Sequence, residues 1–235
     1  MSYNFQNKSE EYLFSRKHFR KLAKIKFLAF NEHAGQLITS SHELVANLTL
    51  FVSGKNFRDI ENGLYVADLM ISFCRSHFIA IDLIFAGELV EAALIIRKQM
   101  ELIARLNQLS EGLDIETIIR KTPNMKHFKG SIKRLYSEYS EISHSASPKV
   151  MQLLGRIDMG EGMYTPLYPE FHENGYAAMQ HLILVVVEYY RWCATFLAKN
   201  FTDYDAAHHS SLLKTILDNH QKVFTNAEVK RSERK

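Results

Sequence analysis

At 235 residues the chain is long enough to bury a sizeable core, and 46% apolar against 23% charged residues is ordinary for a globular protein. A formal charge of +3 is too small to demand a nucleic-acid partner by itself, and two cysteines far apart in sequence exclude a disulfide framework or a cysteine-rich zinc site. Four prolines and ten glycines, most of them gathered in a few places, suit a mostly helical chain with short connections.

The opening MSYNFQNKSEEYLF has no apolar core behind a basic start, so no signal peptide is expected. A first helix is predicted over 8–30, with Ser9 as its N-cap and Glu10 and Glu11 in its first turn. Beyond Tyr12 it carries Arg16, Lys17, Arg20, Lys21, Lys24 and Lys26 with no acid, interleaved with Phe14, Phe19, Leu22, Ile25 and Phe27. Such a helix can lie on phosphate backbones or anionic lipid. It can equally be a core-facing stripe with a solvated basic back. Arg16, Lys17, Arg20, Lys21 and Lys24 are the candidate nucleic-acid contacts.

A second helix is expected from about Gln36 to Val52, stopping at Ser53-Gly54-Lys55-Asn56, and a third from near Asp59 to Ile84. Gly87 reads as a corner, because mid-helix it would cost about 1 kcal/mol. The fourth helix, 88–109, ends before Ser110-Glu111-Gly112, and a short one at 115–120 is closed by Thr122-Pro123-Asn124. The sixth, 128–143, has a one-sided stripe of Phe128, Ile132, Leu135, Tyr136, Tyr139 and Ile142. Residues 145–174 hold glycines, prolines and aromatic residues in an irregular piece, expected to be an ordered flap. A seventh helix at 176–199, apolar on nearly all sides, an eighth at about 204–224 and a frayed tail at 230–235 complete the chain. The runs 78–96 and 181–198 are long and apolar, yet hold Asp82, Glu88 and Glu91 in one and Glu188 and Arg191 in the other. Mid-bilayer charges are costly, so both read as central helices of a cytoplasmic bundle with no membrane partner. No linker or repeat divides the chain, and the expected architecture is one all-α domain over 1–235, a bundle of seven or eight helices.

On the fourth helix, 100° steps gather Ile95, Leu102, Leu106, Ala92 and Ile103 on a broad apolar face and put Arg105, Lys98 and Glu91 opposite. Arg97 and Glu101 fall at the border, one turn apart, beside the small Ala93 and Ala104. On the sixth helix Tyr136, Ser140 and His144 follow at i, i+4 and i+8. Antiparallel packing of the two would bring Arg97, Glu101, Tyr136, Ser140 and His144 together beneath the flap. The helix dipole and Glu101 would then bias His144 toward its protonated form.

The run GELVEAALIIRKQMELIARLNQL followed by YSEYSEISH resembles a broad bacterial family of uncharacterised helical proteins, marked by Arg-x3-Glu and then Tyr-x3-Ser-x3-His before a loop. The resemblance covers roughly residues 64–148. That family is similar to the HEPN-like helical bundles, several of which are ribonucleases or toxins acting as dimers. Their nuclease signature is an Arg, four to six residues, then a His at a helix start. Here the formal match is Arg120 to His127, and Pro123 interrupts it. The resemblance therefore bears on fold more than on activity.

In a metal-free ribonuclease, His144 would act as general base or acid, Arg97 would stabilise phosphorane charge and Glu101 would orient a group. The same residues can instead form a buried network that fixes helix register. Glu141-x-x-His144 has the spacing of di-iron carboxylate bundles, but its only companion is Asp205-x-x-His208, so neither metal nor cofactor is expected. No phosphate loop or nucleophile motif is present. Two functions follow. One is an RNA-binding or RNA-cleaving effector of a toxin or phage-defence kind, a homodimer with a protein partner encoded nearby. The other is a non-catalytic interaction and dimerisation module.

Overall fold

A computed structural model describes residues 6–127, 132–145 and 147–232. It is all-α: helix takes 73% of the chain, and the described residues hold nine α-helices and one pair of two-residue strands. The helices are α1 (Lys8–Phe30), α2 (Ala34–Val52), α3 (Gly63–Phe85), α4 (Leu89–Ser110), α5 (Ile115–Ile118), α6 (Lys133–Ser143), α7 (Lys149–Leu153), α8 (Asn174–Asn200) and α9 (Ala206–Ser232). The expected start of α6 at 128–131 lies outside the described residues, as do the last three residues of the tail.

α3 and α4 form an antiparallel hairpin through Ala86-Gly87-Glu88, and α4 is the pivot of the bundle, touched by α3, α6 and α8. α2 packs on α3, α8 and α9. The core they share runs through Leu44, Leu48, Met70, Phe73, Ile96, Met100, Leu182 and Tyr189. At its centre Phe73 stacks on Tyr189 with ring centroids 3.7 Å apart. α3 and α8 are long and apolar enough, by length and composition, to cross a bilayer. In the bundle each turns a continuous apolar face into the shared core.

Gly87 has φ +75, and a Cβ there would lie 2.2 Å from the carbonyl oxygen of Glu170. The corner thus needs glycine twice over, for its left-handed backbone and for the segment laid across it. That segment belongs to the expected flap, which is more ordered than an irregular loop. It contains α7 and a hairpin of β1 (Ile157–Asp158) and β2 (Met163–Tyr164), with Ile157 opposite Tyr164. Tyr168 then stacks on Phe19 of α1 at 5.0 Å and meets Tyr12. The C-terminal half of α1 is held by Phe27, which stacks on Tyr176 at 4.4 Å and meets Phe85 edge-on.

Two expectations are corrected at this level. The cap of α1 is Asn7, whose side chain accepts from the Glu10 amide at 3.0 Å, rather than Ser9, which lies inside the first turn. Arg105, placed by its helical angle among solvated residues, is buried. The connection after α4 folds back over that side, and Arg105 donates to Gln108 Oε1 at 3.0 Å and to the Lys121 carbonyl.

Candidate functional site

Arg97 and Glu101 sit one turn apart on α4, and Arg97 Nε donates to Glu101 Oε1 at 3.0 Å. α6 crosses antiparallel above them. Tyr136 Oη donates to the same carboxylate oxygen at 2.9 Å, and Arg97 Nη2 reaches Tyr136 Oη at 3.5 Å. The guanidinium carbon lies 5.5 Å from the Tyr136 ring centroid, within cation–π range. Arg97 Nη1 donates to Ser143 Oγ, and Ser143 in turn donates to the Ser140 carbonyl at 2.7 Å. The Arg97 and Glu101 side chains keep 20% and 24% of their surface exposed.

So three of the five expected site residues meet: Arg97, Glu101 and Tyr136. Ser140 takes part only through its backbone carbonyl, and its place is taken by Ser143. His144 closes α6 with an exposed side chain, and no side-chain hydrogen bond ties it to the cluster. The reason is angular. Steps of four residues drift by about 40° each around a helix, so a position eight residues on has rotated about 80° away, whereas seven residues return within about 20°. Ser143, seven beyond Tyr136, therefore shares its face. His144 does not.

The charges in the cluster neutralise one another. Burial works against the Arg97 charge, but the hydrogen bond to Tyr136 and the Glu101 carboxylate outweigh it and raise its pKa. Burial also raises the Tyr136 phenol, with the Glu101 hydrogen bond adding to it and the Arg97 hydrogen bond opposing. Both groups accordingly keep their protons across neutral pH, and neither is poised to exchange one.

Tyr139 of α6, expected only as a member of the apolar stripe, meets His181 of α8: Tyr139 Oη and His181 Nδ1 are 2.9 Å apart. Burial lowers the His181 pKa, with the Glu138 charge opposing it. The ring is therefore neutral near pH 7 and serves as a hydrogen-bond partner in the packing of α6 on α8. Glu138 pairs with Lys149 at 2.7 Å, joining α6 to α7. The signal for Ser143 was present as the i+7 position from Tyr136. Nothing in the sequence singled out His181.

The basic face of α1 is partly spent. Arg16 Nε donates to Glu88 Oε1 at 3.0 Å, and Arg20 Nη1 lies 3.7 Å from Glu88 Oε2. Lys24 stands over the Phe85 ring at 5.0 Å. Lys17 and Lys21 are exposed, with no ion-pair partner among the described residues. Arg120 is exposed, and the side chain of His127 lies outside the described residues.

Two sizeable cavities open elsewhere. One of about 430 Å³ lies under the flap between Arg16, Glu88, Tyr168 and His172. The other, about 720 Å³, lies where the end of α4 meets α8, between Asn107, Glu188, Trp192 and Phe196. Neither is lined by Arg97, Glu101, Tyr136, Ser143 or His144. Among the described residues no three His, Cys, Asp or Glu side chains gather as a metal ion would require. Asp205, half of the second carboxylate–histidine spacing, instead caps α9 by accepting from the His208 amide at 2.8 Å. No family model, curated protein or solved structure matches the chain.

Proposed function

We propose that the chain is a non-catalytic helical interaction module, in which the Arg97–Glu101–Tyr136–Ser143 network locks α6 onto α4. One observation carries this reading: the network's members satisfy one another while the imidazole that ribonuclease chemistry would need stands outside it. The two large cavities are lined by other residues. A buried polar network of this kind fixes which helix faces meet, a role that needs no substrate. Unpaired cysteines, Cys193 buried and Cys74 half-buried, suit a reducing, cytoplasmic setting.

The exposed Lys17 and Lys21, beside Lys24 and Lys26 on α1, favour a second reading, an RNA-directed effector of the HEPN-like kind. Incubation of the purified chain with total RNA, beside an Arg97→Ala/His144→Ala variant, separates the two. The module reading expects no decay beyond buffer in either sample. Decay by the native chain that the variant loses would overturn it.

A further inference from the structure

α3 buries one face in the core through Val66, Met70, Phe73 and His77, and its opposite face is largely exposed, with Phe78 at its edge against the His42 ring of α2 at 4.5 Å. On that face Leu64 is 62% exposed, Ile71 39% and Phe78 37%, at a seven-residue step, with Ala67 and Cys74 half-buried between them. A seven-residue apolar repeat with residues at the intervening i+3 positions is the seam a helix presents to another helix. α3 thus carries two seams, and the bundle uses one.

Charges beside the uncovered seam indicate what covers it. Asp68, Arg75 and Asp82 follow at the same seven-residue step, all exposed, and Asp68 and Arg75 have no ion-pair partner among the described residues. Asp68 and Arg75 are opposite in sign, so a second copy turned about an axis midway between them meets each with its opposite, while Asp82 falls toward Glu61 at the two ends of the contact. A two-fold axis perpendicular to α3, passing between Ile71 and Ser72, turns a second copy antiparallel and sets Asp68 of each chain opposite Arg75 of the other. The same operation places Leu64 opposite Ile79, which is exposed, and Ile71 beside its counterpart. Such an isologous contact closes at two chains.

We infer that the exposed face of α3 is a homodimer interface, antiparallel and centred on Ile71, held by an apolar seam and two reciprocal Asp68–Arg75 ion pairs. The inference deepens the interaction-module reading and rests on it, by naming the partner as a second copy of this chain. Charge pairs at the rim of such a seam set orientation more than they set affinity.

Light scattering after gel filtration of the full chain, over a range of micromolar concentrations, tests it. The native chain runs as a dimer. Asp68→Arg and Arg75→Asp each set like charges against one another across the axis and weaken the dimer roughly tenfold or more. The double variant Asp68→Arg/Arg75→Asp restores it, because the reversed pairs are again opposite in sign. Both charges are exposed, and an unchanged helical circular dichroism spectrum verifies folding in each variant. A native monomer throughout the range overturns the interface while leaving the RNA experiment as the separate test of the module reading. A dimer that ignores the single swaps also overturns it. So does a folded double variant that stays monomeric, since a register pairing Arg75 with Asp82 would gain a repulsion there rather than lose one.

Discussion

All three nitrogens of the Arg97 guanidinium are engaged, each toward a different acceptor: Glu101, Ser143 and Tyr136. A lysine could not reproduce that fork, because an ammonium is a point charge without fixed donor directions. The interaction energy sits in the coupling between residues and not in any single contact, so a double-mutant cycle is the measurement that reads it. Tyr136→Phe removes one donor to Glu101 and should cost about 1 kcal/mol in urea denaturation. Arg97→Met leaves the Glu101 carboxylate half-buried without its cation and should cost about 2 kcal/mol. The double variant should be less destabilised than the two losses added, by about 1 kcal/mol, since both act on one carboxylate oxygen. Strict additivity would show that the network is a set of independent surface contacts. His144→Ala should leave stability unchanged, as its exposed ring has no hydrogen-bond partner among the described residues.

At the scale of elements, the corner between α3 and α4 is the junction on which the flap depends. Gly87→Ala would drive a methyl group into the Glu170 carbonyl and force a strained left-handed backbone. It should cost several kcal/mol, well beyond the ~1 kcal/mol of an ordinary left-handed alanine, and open 166–172 to limited proteolysis. Native-like resistance in that segment would mean that the flap is not pinned at the corner. The long helices were legible because each repeats apolar residues at helical spacing over many turns, and their ends fell within a few residues of the expected ones, except that α9 runs eight residues further than expected, to Ser232. The order inside 145–174 was not legible, since two-residue strands carry no measurable alternation and Tyr168 is fixed by rings on α1, far away in sequence. Arg105 was misplaced for the same reason: a helical wheel assigns angles, but what covers an angle is decided by a connection folding back from elsewhere. Three of the network's four members could be read, namely the i, i+4 pair on α4 and Tyr136. The substitution of Ser143 for Ser140 and His144 depended on which α6 residues return to one face after two turns, and the Tyr139–His181 pair on a helix crossing no local pattern encodes.

For the molecule as a whole, the most exposed weakness is acid. His77 lies fully buried between α3 and its neighbours, 5.2 Å from the ring of His42, and neither of its ring nitrogens meets a hydrogen-bond partner. Burial, reinforced by His42, pushes its pKa down to about 3. The unfolded chain binds a proton at His77 near pH 6.5 and the native chain does not until about pH 3, so the unfolded state holds more protons throughout that window. Stability therefore rises with pH there, by about 1.4 kcal/mol per pH unit for one such group, and is fully present above about pH 6.5. Burial lowers His42, His181 and His220 as well, and each adds slope of the same sign over the upper part of the window. Glu188 acts in the opposite sense: burial raises its carboxyl, so its contribution is largest at low pH and is lost as pH rises through its folded value. One carboxyl against several imidazoles leaves acid destabilising. The melting temperature should be flat above pH 7 and fall steadily from pH 6.5 toward 4. His77→Leu, close in volume and with no proton to take up, should be no less stable at pH 7.5, because it removes two buried polar atoms without partners. It should also flatten the acid slope by about one proton in a urea titration carried out at each pH. Equal slopes for the native chain and His77→Leu would show that the imidazole reaches solvent, and the packing of α2 against α3 described above would then be wrong at that point.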